Sequence, residues 1–427
     1  MNCSARFAIV NIGQLVTLAS PHATPHTGPR TGPDLRELGL IPEAALLIED
    51  GRIRAAGRYV DLRDQIHDCK TRNCEIIDAG GHLVTPGFVD AHTHLVFVGN
   101  RAAEYEQRID GATYQQIAAA GGGIQSTVGL TRQATEAELL THARRHRDWM
   151  LRGGTTTLEA KSGYGLHTET ELRLLRVLAQ LHDEGPVQIV PTLLAAHTVP
   201  REYAENRAAY IQSILHELLP VVAREQLARF CDAFCDDHAF TVEETRQVLT
   251  AAQRLGLGLR IHAEQFRPGT GAALAAELGS ATADHLETID DATIAQLARA
   301  GVQPVLLPAS VFCLSRTQYP PARRMIDAGL AVVLATDFNP GSAPAPSMAF
   351  TLSLACLQMR MTPAEALTAA TLNAAHSLGL AHEIGSLEPG KRADFLLHEI
   401  ADYRELAYFA AAPLRPRVFI SGREVTP

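Results

Sequence analysis

The chain has 427 residues, of which 46% are hydrophobic and 20% charged, and it carries a formal net charge of −9. This is more chain than one typical core organises, and its apolar content excludes bulk disorder. The acidic balance, with no basic stripe, argues against a nucleic-acid partner, and no apolar run approaches the roughly 20 residues that cross a bilayer.

In chain order, the apolar runs 8–10 and 15–18 are interrupted by Asn11, Gly13 and Gln14, with only Arg6 charged before them. They predict a strand pair, not an export signal. Residues 6–86 read throughout as short strands and turns. Segment 46–53 is strand–turn–strand around Asp50-Gly51, and 75–78 is a strand closed by Gly80-Gly81. His22, His26, His67 and His82 read as ordinary surface residues. The far end is similar, with strands at 393–397 and 418–422. Residues 1–86 and 384–427 are therefore expected to form one composite β-sandwich domain, with 87–383 inserted as a second. Seven cysteines in no regular framework suit a reducing cytoplasm.

Within the insert, short buried runs at 88–95, 155–160, 188–195, 230–234, 257–261, 281–284, 302–306 and 331–335 alternate with amphipathic stretches such as 136–151, 169–182, 242–255 and 289–300. Continuous apolar strands between helices imply a parallel sheet covered on both faces. Eight such units predict an α/β fold of the (β/α)8 TIM-barrel type, with a doubly wound sheet as the structural alternative. The Ala/Gly-rich stretch 118–123 lacks a following Gly-Lys-Ser/Thr and reads as a mobile loop near the mouth.

Such barrels carry reactive residues at the C-terminal ends of their strands. The first strand closes on Asp90-Ala91-His92-Thr93-His94. Residues two apart in a strand share a face about 6–7 Å apart, so both imidazoles can reach one ion. The third strand ends at His197, the fifth at His262, the sixth at His285 and the eighth at Asp337. Imidazoles with a carboxylate suit zinc, with iron or manganese as other occupants, and such an ion readies water at neutral pH. A lone His-x-His is a weak signal; matching groups closing the fifth, sixth and eighth strands give it weight. Cys231 and Cys235, ahead of Asp236-Asp237-His238, lack the further cysteines of a structural zinc site and alternate with Ala233 as packing residues do. Lys161, at the end of the second strand, is either a carbamylated lysine bridging two ions or a salt-bridging residue.

The segments TPGFVDAHTHLVFVGNR (85–101), AAAGGGIQSTV (118–128), GTTTLEAKSGYGL (154–166), AAHTVP (195–200), IHAEQF (261–266), DHLE (284–287) and ATDFNPGSAP (335–344) give the chain its family likeness. It resembles the amidohydrolase superfamily and, within it, the imidazolonepropionase family, to which KSGYGL and the GNR after His-x-His are peculiar. The resemblance implies one zinc or iron ion per subunit, bound by His92, His94, His262 and Asp337. It implies substrate contacts from Arg101, Tyr164, His197, Gln265 and Ser342, and product contacts from Asn339 and Gly341. It also implies hydrolytic opening of 4-imidazolone-5-propanoate to N-formimino-L-glutamate, the third step of histidine degradation. Some relatives have Glu at the position of Gln265; an amide cannot take a proton, so hydrogen bonding is expected here. The family lacks the bridging lysine of its two-metal cousins, which favours a structural Lys161.

On this reading Asp337 accepts a proton from the attacking water, and His285 stabilises the oxyanion or relays a proton. Arg101 grips the propionate bidentately, with a salt bridge to Glu104 or Glu106 as its structural alternative. A homodimer is expected, dimers being the commonest closed assembly. The rival readings are another cyclic amidase or heterocycle deaminase of the same superfamily, and a catalytically dead barrel kept as a scaffold, against which the intact ligand set argues.

Overall fold

The computed structural model describes residues 6–19, 28–71, 74–112, 116–117, 121–236, 239–410 and 412–426. Its strands in chain order are β1 (Arg6–Val16), β2 (Leu40–Glu49), β3 (Arg52–Arg58), β4 (Glu75–Asp78), β5 (Leu83–Pro86), β6 (Phe88–Asp90), β7 (Thr155–Lys161) and β8 (Gln188–Ala196). There follow β9 (Phe230–Cys235), β10 (Gly258–Ala263), β11 (Thr282–His285), β12 (Gln303–Leu306), β13 (Val333–Leu334), β14 (Phe395–Leu397), β15 (Arg417–Ile420) and β16 (Arg423–Val425).

Strands β6 to β13 pair with their sequence neighbours in one eight-stranded sheet. The pairings are parallel, as between β9, β10 and β11. Just beyond β6 and β13 the ends meet: Thr93 pairs with Phe338. There the Asp337 N–H donates to the His92 carbonyl at 3.1 Å and the His94 N–H to the Phe338 carbonyl at 2.9 Å. The sheet is thus a barrel, and the open-edged doubly wound alternative falls away. Closure happens at the mouth, on the very residues expected to carry chemistry. Helices between the strands cover the outside. Those at Glu136–Arg152 and Val242–Arg254 each begin with a capping box, Thr135 with Glu138 and Thr241 with Glu244, and bury Leu139, Met150, Val248 and Leu249 against the core.

The two chain ends build a second sheet, ordered β16-β15-β14-β5-β1-β2-β3 with β4 also on β1. On a flat sheet β15 and β1, three strand spacings apart, would be about 14 Å from one another. Phe419 and Phe7 nonetheless stack with ring centroids 6.2 Å apart, and Phe395 lies 4.4 Å from Phe419. The sheet therefore rolls around an apolar interior of Ile9, Ile12, Leu15, Leu46, Ile48 and Val84.

Three local readings change. The two runs give one strand, Arg6–Val16, with a register irregularity between Ile9 and Ile12, where Asn11 has φ +54°, in place of a strand pair. Residues 6–86 are not all strand and turn: Tyr59–Thr71 is a helix laying Leu62 and Ile66 on Ala8, Ala45 and Leu47. Strand β5 was also unread; it bridges the two chain ends by pairing with β1 and β14. Positions 22, 26, 118–120, 237 and 238 lie outside the described residues. His67 is exposed and His82 half-buried.

Candidate metal centre and substrate pocket

Because β6 is short and buried on both faces, its polar continuation turns inward at the barrel's C-terminal rim. His92 and His94 bring their Nε2 atoms to 3.5 and 3.4 Å from Oδ1 of Asp337. Ligands sharing one ion at about 2.0–2.2 Å in tetrahedral array stand about 3.3–3.6 Å apart, so these spacings fit a shared ion. Ligand atoms of His92, His262 and His285 likewise lie within 4.8 Å of one another, so the two triads meet at His92. The shared His92 places the two triads side by side at the barrel mouth.

The orientation of the rings makes the same case. His92 Nδ1 lies 2.6 Å from Asp284 Oδ2, and His262 Nδ1 lies 3.1 Å from Asp232 Oδ1. Carboxylate oxygens accept, so both Nδ1 atoms carry the proton and both Nε2 atoms present lone pairs. Those two Nε2 atoms are buried and have no hydrogen-bond partner among the described residues. Orphaned acceptors converging at a buried point are what a bound cation satisfies. The donor set, imidazoles with one carboxylate, fits a borderline-hard ion.

Electrostatics hold the set ready. Burial pushes the His262 pKa down to about 4 despite Asp232, and that of His94 well below its ordinary value. Burial alone would raise Asp337, but the imidazoles of His92, His94 and His285 beside it outweigh burial and hold the carboxyl well below the usual range. Burial opposes charge on His285, yet Glu287, 3.3 Å from its Nδ1, and Asp337 raise its pKa. His285 and Asp337 both sit at positive φ, +79° and +56°, a costly backbone state for residues with side chains and one concentrated at functional sites.

Above this centre opens a cavity of about 640 Å³. Its walls bring together most of the residues expected from sequence: Arg101, Tyr164, His197, Gln265, Asn339 and Ser342, over a floor of His94, His262, His285 and Asp337. Arg101 donates from Nε to Thr127 Oγ1 at 2.9 Å and, among the described residues, forms no ion pair with Glu104 or Glu106. Gly341 stands against its guanidinium: a Cβ there would lie 2.3 Å from Nη1. His197 Nδ1 is 2.9 Å from the Gly163 carbonyl, so Nδ1 carries the proton and Nε2 is left as an acceptor. Burial pushes this imidazole down to about 3, keeping it neutral. Gln265 reaches Ser310 Oγ at 3.5 Å. Asn339 spends its side chain on its own loop, donating to the Asp337 carbonyl and Ser342 Oγ and accepting from the Gly341 and Ser342 N–H groups. Ser342 Oγ in turn donates to Asp337 Oδ2 at 3.2 Å. Asp337 thus divides its oxygens, Oδ1 toward the imidazoles and Oδ2 toward the pocket side.

Sequence reasoning missed the supporting carboxylates. Asp232 and Asp284 orient the imidazoles, and Glu159 and Lys161 pack behind them, all four fully buried. Alternation along Phe230, Asp232 and Phe234 was the available signal, because a charge inside a buried strand must have a partner. Glu171 was also missed: it accepts from the N–H groups of Gly163, Gly165 and Leu166 at 3.0, 2.8 and 2.8 Å and pins the loop carrying Tyr164. Cys231 and Cys235 are free and buried in β9, as packing residues.

Residues 83–425 match the amidohydrolase family. The imidazolonepropionase of Solibacter usitatus is 56% identical over 97% of both chains, and that of Brevibacillus brevis is 46% identical over 94% of this chain and 93% of its own. Among solved structures, an adenosine deaminase from Xanthomonas campestris with bound zinc superposes with a TM-score of 0.67 at 20% identity, over 98% of this chain and 92% of that one. At that identity the likeness is one of fold alone.

Proposed function

The chain belongs to the amidohydrolase family and, within it, to the imidazolonepropionases, and from that premise we propose how its own residues do the work. The reaction is hydrolytic opening of 4-imidazolone-5-propanoate to N-formimino-L-glutamate in histidine degradation. Water adds to the ring carbonyl carbon, the adjoining C–N bond breaks with its electron pair going to nitrogen, and that nitrogen takes a proton.

His92, His94, His262 and Asp337 would hold the ion, zinc or iron. When bound, such an ion polarises a carbonyl and lowers the pKa of neighbouring water. Asp337 Oδ2, turned toward the pocket, receives the proton of the attacking water. His285, favoured as a cation by Glu287, donates to the developing oxyanion and can pass a proton to the leaving nitrogen. Arg101, which carries no ion pair among the described residues, takes the propionate. His197 Nε2, as an acceptor, takes a ring N–H, and Tyr164 closes that wall. Gln265 contributes hydrogen bonds only. Asn339, Gly341 and Ser342 shape the loop that meets the product. The observation that carries this reading is the convergence of orphaned imidazole lone pairs and one carboxylate oxygen beneath a pocket walled by an arginine that forms no ion pair among the described residues.

A two-ion mechanism through carbamylated Lys161 is disfavoured, because that ammonium already lies 2.9 Å from Glu159 and 2.8 Å from Asp232. The deciding experiment adds 4-imidazolone-5-propanoate to purified protein and follows loss of its ultraviolet absorbance with metal content measured in parallel. Formiminoglutamate with about one ion per chain is expected; release of ammonia, or no turnover of this substrate, overturns the reading.

The division of labour proposed alongside assigns 87–383 to the barrel and 1–86 with 384–427 to a composite β domain. Support comes from the Gly87 N–H donating to the Asp394 carbonyl, a seam between the two sheets. A cytoplasmic homodimer is the proposed state. The six described cysteines are all free, as a reducing compartment requires, and Tyr105, Ile109, Phe312 and Leu357 leave apolar surface exposed. Light scattering at twice the chain mass is expected, and a monomer at micromolar concentration refutes it.

A further inference from the structure

Beneath the imidazoles the barrel floor holds Glu159, Lys161, Asp232, Arg260 and Asp284, each at 0% exposure. Lys161 Nζ stands 2.9 Å from Glu159 Oε1, 2.8 Å from Asp232 Oδ2 and 3.7 Å from Asp284 Oδ2. Arg260 is held aside, its Nη2 donating to the Ala91 carbonyl at 2.8 Å and its Nε 3.9 Å from Asp284. The two aspartates that Lys161 touches are the two that orient His262 and His92, at 3.0 and 2.6 Å. One ammonium therefore links, through one atom each, the supports of two strand-end imidazoles that come from β10 and the end of β6. In both aspartates the ammonium and the imidazole meet on the same oxygen, Oδ2, so a fixed cation there restrains that oxygen and with it the direction of the ring's Nδ1–H, and ring orientation decides where an Nε2 lone pair points.

We propose that Lys161 is a positioning residue for ion binding: by bridging Asp232 and Asp284 it fixes His262 and His92 as a pair. The inference rests on the one-ion reading above and goes beyond it, since neither the ligand set nor the reaction assigns Lys161 a part. A purely structural Lys161 would only neutralise buried charge and would leave the ring geometry alone.

The test uses full-length protein stripped of metal. Zinc affinity is read by competition with a chromophoric chelator, and the visible spectrum of the cobalt(II) form reports ligand geometry. Lys161→Met is expected to bind zinc about 10–100-fold more weakly and to alter the cobalt bands. Glu159→Gln, which loosens Lys161 without touching an imidazole, is expected to change both less. A folded Lys161→Met variant with wild-type zinc affinity and an unchanged cobalt spectrum overturns the proposal. Should Lys161→Met fail to fold, Lys161→Met with Asp232→Asn removes one charge of each sign and carries the test. It should bind zinc at least about threefold more weakly than Asp232→Asn alone, because Asp284 and His92 also lose their anchor. Equal affinities would overturn the role. No substrate is involved, so a wrong reaction cannot mimic failure here. Wild-type protein that takes up neither ion overturns the one-ion reading together with this one.

Discussion

A methyl group on Gly341 would have to share space with the Arg101 guanidinium, whose Nη1 lies 2.3 Å from the position of that carbon. The flexible side chain gives way more cheaply than the backbone, so Gly341→Ala should fold normally and displace the guanidinium. If Arg101 grips the propionate, the expected result is a raised KM with kcat little changed, in the same direction as Arg101→Leu. The latter removes a charge-assisted contact of about 1.5–3 kcal/mol, or roughly 10–150-fold in kcat/KM. Steady-state kinetics that barely move in Arg101→Leu would make it an ordinary surface residue. Asp337 presents the opposite case. Its Oδ1 is shared by two imidazoles and its Oδ2 takes the Ser342 hydroxyl, so Asp337→Ala removes an ion ligand and a proton acceptor at once. Turnover should vanish; single-turnover assays finding near wild-type rates would remove Asp337 from the mechanism. These residues were legible in the sequence because strand-end polar groups after apolar runs stand out. Their partners were not, because Asp232 and Glu159 sit inside those runs and become visible only when neighbouring strands are laid side by side.

Loops decide how far a strand end can be trusted as a platform, and the 162–166 turn after β7 shows the cost of rigidity. Gly163 adopts φ +100°, and a Cβ on Gly165 would meet the Glu171 backbone nitrogen at 2.8 Å. The Gly-Tyr-Gly spacing thus lets the chain fold tightly over the start of the helix Thr168–Asp183, where Glu171 collects three of its N–H groups. The same turn supplies the carbonyl that fixes His197. Glu171→Gln keeps the shape and loses the charge. We expect a loss of about 1.5–3 kcal/mol in stability, and a KM effect larger than the kcat effect, because Tyr164 and His197 loosen together. Chemical denaturation alongside kinetics checks this, and unchanged KM at lowered stability would confine Glu171 to folding. Strand and helix placement in the barrel was readable since buried runs of four to eight apolar residues leave few alternatives. The helix Tyr59–Thr71 was not, for Asp61, Arg63, Asp64, Asp68 and Lys70 dilute the Leu62, Ile66, Cys69 stripe that packs it. Strand β5 was hidden because its partners, β1 and β14, lie far away in sequence and it ends in Pro86.

At the scale of the molecule, the rolled sheet ties both chain ends to the entry of the first barrel strand, and one buried histidine marks the seam. His398, just past β14, donates its N–H to the Leu83 carbonyl at 2.9 Å, and its Nε2 lies 2.9 Å from Thr85 Oγ1, on the strand that leads directly into Gly87 and β6. Burial pushes its pKa from the ordinary 6.5 down to about 3. A base that is neutral when folded and readily protonated when unfolded gives stability that is complete above pH 6.5 and drains away as pH falls toward about 3. The slope is about 1.4 kcal/mol per pH unit inside that window, so lowering pH from 7 to 5 should cost roughly 2 kcal/mol through this group. His398→Gln removes the titration and keeps a hydrogen-bonding side chain. Its stability loss between pH 7 and pH 5, measured by urea unfolding, should be smaller than the wild-type loss by about that amount. Equal losses in the two proteins would mean that the seam opens, or hydrates, before the imidazole takes its proton. The link from the chain ends to the first barrel strand would then contribute nothing to acid stability.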